Sequence, residues 1–512
     1  MKTDWLTNRT QATPQRTAIL IGKQQWTYAE LDHMVNSVCC RLQAAGVEPG
    51  DFVGVLMPNC LGYVCLIHAL ARLGATLVPL NTRLTEAELA WQVEHVGCKF
   101  ILCQEKDERL RVLHSQQLTV NHRWLTSHTP RPVRHFPFSS HQLQTVVFTS
   151  GTSGNPKGVP LTFNHHLASA MASAYRLGVA PNDVWLSCLP LYHVGGLAVI
   201  WRSCLYGTAV NLHPRFILEE VNHALDTLPI TLISLVPTML YRLLETRSHW
   251  PAALRLILLG GAAAPEDLVS RANGLERSEW SSVNEPLSVG NSKPLVATTY
   301  GLTEASSQVA TMLPEEVTKK PGSVGKPLLF TSVAIVNENG RSLPPNQYGE
   351  IVITGPTVMA NYFEKDQRLK KKDLHPPHQP STFNRQSSFA TGDIGYLDDD
   401  SDLWIVQRRS DLIVSGGENV YPAEVEAVLK AHPAVANACV VGLPDAEWGQ
   451  VVAAMVEVAP THTLSPEELL AYSREHLAGY KQPRQLKFVT ELPQTASGKI
   501  ARNTIVDQLS FA

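Results

Sequence analysis

The chain has 512 residues, 44% hydrophobic and 17% charged, the balance of an ordinary soluble globular protein too long for one compact core. Its formal net charge of −3 leaves no electrostatic footprint for nucleic acid or an anionic membrane surface. Nine cysteines occur without a CxxC pair, and the closer spacings Cys60/Cys65 and Cys98/Cys103 lack accompanying histidines, so buried reduced thiols are expected instead of a zinc site or disulfide framework.

The N-terminal "MKTDWLTNRTQATPQR" is polar and has no apolar signal core, which points to a cytoplasmic protein. "AELDHMVNSVCCRLQAAG" has helical periodicity and stops at Gly46, and "DFVGVLMPN" reads as a short buried strand. "LGYVCLIHALARLG" is a helix ended by Gly74; His68 and Arg72 argue against its crossing a membrane, and "ATLVPLN" is the next strand. Strand, helix and strand within about 30 residues imply a right-handed crossover and a parallel sheet. The rhythm returns near 145–240, with "NHH" at 164–166 expected as a solvated helix start and "LISLVPTML" as strand then helix. "LRLILLGGAAAPEDLVSRA" reads as strand, glycine turn and helix.

Residues 276–294 and 371–388 are polar, Pro/Ser-rich and aperiodic, and are expected to be surface insertions or disordered segments without chemistry. After "LWIVQRRSDLIVSGGENVYP" come a helix "AEVEAVLKAH", strands at 436–442 and 450–458, a helix "PEELLAYSREHLAGY" and a strand "RQLKFVTEL". The fold class is therefore α/β: a large N-terminal domain of layered α/β subdomains with mostly parallel sheets over 1–409, and a small α+β domain over 410–512, with the boundary at Arg409–Asp411.

"TVVFTSGTSGNPKGVP" (145–160) runs from a β-branched strand into a loop of hydroxyl residues and glycines that closes on Lys157. A Walker A loop would open a helix at the lysine, but Gly158 and Pro160 follow it here. The spacing "TSGTSGNPKG" instead resembles the phosphate loop of the acyl-adenylate-forming enzymes, which include acyl-CoA synthetases, luciferases and peptide-synthetase adenylation domains. The resemblance implies that Thr149, Ser150, Gly151, Thr152, Ser153 and Gly154 wrap ATP phosphates with hydroxyls and backbone N–H groups, while Lys157 adds positive charge.

It extends over nearly the whole chain. "TTYGLTEAS" (298–306) would place Thr299, Tyr300 and Gly301 at the nucleotide, with Tyr300 stacked beside adenine, Thr303 on a phosphate and Glu304 holding Mg²⁺. "LLGGAAAP" (258–265) looks like the adenine and acyl loop, with Gly260, Gly261 and Ala262 at a strand end. "ATGDIGY" carries Asp393, whose two carboxylate oxygens would accept both ribose hydroxyls. Arg408 would contact ribose and phosphate, and Ser410 would be the hinge of a mobile C-terminal domain, although Ser410 and Gln407 depart from the residues common there. "PQTASGKIAR" carries Lys499, matched to the lysine that steadies the reacting carboxylate and the α-phosphate.

The implied chemistry is ATP-dependent: a carboxylate attacks MgATP to give acyl-AMP and pyrophosphate, then a thiol expels AMP. Rotation about the hinge would present Lys499 and the loop Gly416–Gly417 in turn, with Gly417 lining a pantetheine path. No carrier domain follows Ala512, so free CoA is the expected thiol; loading of a carrier protein is the alternative, and a homo-oligomer is left open. "SCLPLYHVGGL" (187–197) resembles the acyl-pocket segment, with His193 lining the pocket or gating pantetheine and Gly195 beside it. Together with "HPRF", "SLVPTML" and "TEASSQVAT" it resembles the o-succinylbenzoate–CoA ligases of menaquinone and phylloquinone synthesis. Ser234, Thr238, Ser306 and Ser307 suit an acid bearing a second carboxylate and a ketone, and Arg215 would meet that carboxylate or be structural. Each serine would equally satisfy local backbone, and another aryl- or fatty-acyl-CoA ligase remains an alternative.

Overall fold

The computed structural model describes residues 4–111, 113–126, 136–149, 156–277, 295–364, 387–407, 412–459, 462–493, 500 and 502–510. The expected crossover is present: strand Phe52–Leu56 passes through helix Leu61–Leu73 into its parallel neighbour Thr76–Pro79. The helix stops where Gly74 turns left-handed at φ 75°. These strands belong to a six-stranded sheet, parallel except for the hairpin of Leu143–Thr149 with Lys157–Thr162.

A nine-stranded sheet has a parallel centre formed by Thr17–Ile21, Ala209–Leu212, Val184–Ser187, Leu232–Leu235, Leu256–Leu259 and Val296–Leu302. Helices Leu61–Leu73, Tyr28–Ala44 and Val194–Tyr206 fill the layer between the two sheets, in one cluster with Val53, Val55 and Leu77 on one side and Trp185, Val210 and Leu256 on the other. Of the three, Leu61–Leu73 is buried continuously from Gly62 to Leu73 and is apolar nearly all round. The charges that Leu61–Leu73 carries are therefore neutralised: buried Arg72 pairs with Asp4 at 3.0 Å and Asp32 at 2.6 Å. Strand alternation sends Trp185 into this layer and Val184 and Leu186 to the opposite face, against helices Leu218–Thr227 and Pro237–Leu244.

The "NHH" segment does begin a helix, Phe163–Leu177, with His165 in its capping box, but it is not a solvated start. His166 is buried beside Trp201, and desolvation pulls its imidazole down to about 3. All nine cysteines are free thiols, seven of them buried. Among the described residues no helix is long and apolar enough to cross a membrane.

An antiparallel four-stranded sheet, Ser332–Val336, Gly349–Gly355, Ser387–Leu397 and Leu403–Gln407, was not foreseen. Its third strand begins inside the stretch expected to be an insertion, because Ser387 and Ser388 pair with Gly355 and Thr354. Glu276–Arg277 likewise pairs with His249–Trp250. The remaining residues of both stretches, and Arg409–Asp411, lie outside the described residues.

The C-terminal unit is a second antiparallel system. Val435–Asp445 pairs with Gly449–Val458, which takes Gln485–Val489 in parallel, and the hairpin Ile413–Ser415/Glu418–Val420 flanks it. Helix Pro466–His476 is shorter than expected, because Leu477 is extended and Gly479–Lys481 forms a separate 3₁₀ turn. A last helix, Arg502–Ser510, went unread in the sequence. Ala478 and Tyr480 of this unit pack into the cluster on the far face of the six-stranded sheet, with Phe52, Leu80 and Val93.

Candidate active site

The carboxyl ends of parallel strands from both large sheets open onto one cavity of about 790 Å³. Parallel sheets bind ligands at that edge. Strand Val184–Ser187 delivers Cys188–Pro190 and His193, Leu232–Leu235 delivers Val236 and Thr238, and Leu256–Leu259 delivers Gly260 and Gly261. The hairpin of the C-terminal unit closes the opposite wall with Gly416, Gly417, Glu418 and Asn419.

Buried Asn59 sets the loop before His193, donating to the carbonyls of Leu189 at 2.9 Å and His213 at 3.1 Å and accepting from the Leu191 N–H at 2.9 Å. His193 itself caps helix Val194–Tyr206, and its Nε2 lies 2.9 Å from Glu418 Oε2 across the unit boundary. Arg83 meets the other Glu418 oxygen at 3.2 Å. Burial raises the Glu418 pKa, but His193 and Arg83 outweigh it and leave the carboxylate below its ordinary range. The charge of this buried acid is thus matched from the large unit.

Thr149, Thr299, Gly301, Thr303, Glu304, Asp393, Gly195, Ser234, Ser307 and Arg215 also line the cavity. Thr149 and Lys157 face each other across the hairpin that carries the phosphate-loop candidate. Ser150, Gly151, Thr152, Ser153, Gly154, Arg408, Ser410 and Lys499 lie outside the described residues. Glu304 is buried, and Oε1 accepts from the Tyr362 hydroxyl at 2.7 Å. The Lys157 ammonium stands 4.9 Å above the ring of that same tyrosine.

Three expected residues are placed differently. Tyr300 is 1% exposed, shares a cluster with Ile335, Ile351 and Ile353 of the four-stranded sheet, and is not on the cavity wall. It reaches the wall indirectly, its hydroxyl donating to Asp393 Oδ2 at 2.6 Å. Ser306 is fully buried at φ 56°; it donates to the Thr357 carbonyl and accepts from Ser169 on its own carbonyl, both at 2.8 Å. It therefore fixes a turn instead of facing a substrate. Ala262 follows Gly261 but is not on the cavity wall.

Strain supports that turn reading. Ser306 and Ser307 both have positive φ, 56° and 106°, which non-glycine residues adopt only when the surroundings enforce it. A Cβ at Gly301 would lie 1.9 Å from the Ser307 carbonyl oxygen, so glycine is required for this close approach. Ser234 accepts from Trp185 Nε1 at 3.0 Å and keeps its place on the wall.

Sequence reasoning missed Arg202. It is 2% exposed, lines the cavity and donates to Ser169 Oγ at 3.2 Å, while its Nε finds no partner among the described residues. Desolvation pulls its pKa down, and Tyr206 offsets only part of that. The available signal was a lone arginine inside the apolar run "GGLAVIWRSCL". Arg215, expected either to meet a second carboxylate or to be structural, is exposed on the cavity lining. Trp448 lies there too, with the guanidinium of Arg484 4.5 Å from its ring.

A family model described as "AMP-binding enzyme" matches residues 6–363, and one described as "AMP-binding enzyme C-terminal domain" matches residues 424–499. The 2-succinylbenzoate–CoA ligase of Bacillus cereus is 39% identical over 508 residues, covering 98% of this chain and 97% of its own. A double mutant of the o-succinylbenzoate CoA synthetase of Bacillus subtilis, bound with its product analogue OSB-NCoA, superimposes with a TM-score of 0.87 at 36% identity, covering 99% of this chain and 98% of the other. The Bacillus subtilis enzyme in complex with ATP and magnesium ion gives 0.70 at 36% identity, covering 99% of each chain.

Proposed function

The chain belongs to the AMP-binding enzyme family, and from that premise we infer that it is an ATP-dependent acid–thiol ligase that joins 2-succinylbenzoate to coenzyme A. ATP, Mg²⁺ and CoA accompany the acid. The observation that carries the choice of acid is Arg202: a buried guanidinium on the wall of the cavity with an unused N–H. Such a group favours a substrate with a second carboxylate, which brings the missing charge and acceptors.

In the first half-reaction a carboxylate oxygen bonds to the α-phosphorus of ATP and the bond to pyrophosphate breaks. Asp393 is read as the ribose acceptor, held by Tyr300, and Lys157 with the loop 150–154 as the phosphate cradle. Glu304 fits a magnesium site: a buried carboxylate on the wall, it would hold Mg²⁺ through a hard oxygen of the kind that ion takes. Bound there, the ion neutralises phosphate charge. Lys499 is read as steadying the reacting carboxylate.

In the second half-reaction the CoA sulfur bonds to the acyl carbon, the thiol proton is lost and AMP leaves. Gly416 and Gly417 are read as the pantetheine wall, His193 and Glu418 as the seam that holds the hairpin over it, and Ser410 as the hinge between domains 1–409 and 410–512. Free thiols throughout suit a reducing cytoplasm. Pyrophosphate release measured over a panel of carboxylic acids, with and without CoA, tests the reading. 2-Succinylbenzoate should exceed benzoate, 4-coumarate and octanoate in kcat/KM by at least about a hundredfold. A monoacid as best substrate overturns the choice of acid.

A further inference from the structure

The two Bacillus subtilis complexes match this chain at the same 36% identity, yet the product-analogue form fits at 0.87 and the ATP form at 0.70. Sequence divergence cannot separate them, so the difference lies in how their parts are arranged. Of the two, the product-analogue complex is the nearer to this chain's arrangement. Contacts between the C-terminal unit and the large sheets are therefore candidates for holding the molecule in its thioester-forming state.

One of them lies away from the cavity. Lys481, in the turn Gly479–Lys481, is 2% exposed and donates to Glu424 Oε1 at 2.7 Å and to Glu88 Oε1 at 2.6 Å. Glu424 belongs to helix Pro422–Lys430 of the C-terminal unit, but Glu88 sits on helix Glu86–Val96 beside the six-stranded sheet. The second Glu88 oxygen accepts the Ala478 N–H at 3.1 Å, so one carboxylate grips the C-terminal unit twice. None of the three lines the cavity.

We propose that Glu88 is a positioning residue for the thioester half-reaction, fixing the C-terminal unit over the cavity through Lys481 and Ala478. The proposal rests on the two-half-reaction reading. When the unit swings away, Lys481 keeps Glu424 and loses Glu88. Nothing in the adenylation chemistry requires the contact.

The test is Glu88→Gln, since glutamine also serves the capping box with Thr85 and leaves the helix start intact. Thioester formation from supplied acyl-AMP and CoA should slow by about ten- to a hundredfold, the size expected when a charge-assisted contact is lost. Pyrophosphate release from ATP and 2-succinylbenzoate without CoA should stay within about twofold, a split that a general loss of structure would not give. Glu88→Asp should restore part of the thioester rate. Small-angle X-ray scattering gives a readout independent of chemistry: the variant's profile should move away from that computed for the present arrangement. Equal loss of both half-reactions, or an unchanged thioester rate with unchanged scattering, overturns the proposal. Failure of the wild type to release pyrophosphate with any acid would instead strike the functional reading, and the scattering comparison would still decide the role of Glu88.

Discussion

Replacing Arg202 with methionine should separate diacids from monoacids and stabilise the empty enzyme at the same time. The guanidinium has five N–H donors, and the structure gives it one hydrogen bond, to Ser169, with Nε unpaired among the described residues. A second substrate carboxylate would form a buried, bidentate pair there. Breaking such a pair costs about 3–5 kcal/mol. At about 1.4 kcal/mol per decade, kcat/KM for 2-succinylbenzoate should fall by a factor of about 10² to 10⁴. Benzoate, which lacks the second carboxylate, should lose little. Without substrate the wild-type charge is poorly compensated, so methionine on this apolar helix should raise the unfolding temperature of the free protein. Pyrophosphate-coupled kinetics on both acids and thermal unfolding without ligand check the two halves. Equal losses for diacid and monoacid, or a lower unfolding temperature, would refute the reasoning and make Arg202 a structural tie to Ser169. Intact diacid selectivity would send the carboxylate to Arg215 instead.

Gly417→Leu should suppress thioester formation while pyrophosphate release persists. The residue has φ 84°, which strains any L side chain, and a Cβ would lie 3.1 Å from Val236, so leucine crowds the wall where CoA is expected to pass; loss of adenylation in a folded variant would count against that. Asp393→Ala should raise KM for ATP roughly ten- to a hundredfold, and unchanged ATP dependence would remove Asp393 from the ribose site. Asp4 is held below its ordinary pKa: burial pushes it up, but Arg72 and Thr7 outweigh that. Its stabilising contribution is therefore present above the unfolded value of about 3.9 and lost as pH falls through the lower folded value. Asp4→Asn should cost about 1.5–3 kcal/mol at neutral pH, since Asp32 still pairs with Arg72, and should flatten the acid limb of a stability–pH curve.

What the sequence made legible was local. Hydrophobic period and glycine stops located Phe52–Leu56, Leu61–Leu73 and Thr76–Pro79, because those features depend on neighbours within a few residues. The positions Gly260, Thr303 and Asp393 were legible through resemblance, and the fold brings them to one cavity. Direction and partnership were not legible. Tyr300 turns from the cavity because a sheet formed by residues 332–407 supplies an apolar bed on its other side. Ser306 turns inward because its backbone is left-handed and Thr357 and Ser169 hold it there. Arg202 looked like one charge in an apolar helix, and only the layer around it shows that its Nε lacks a partner among the described residues. Glu88 and Lys481 stand 393 residues apart and each, read alone, is a solvated surface charge. Their meaning arises from the contact between the C-terminal unit and the large unit, and such a contact is read from the assembled fold and not from either segment.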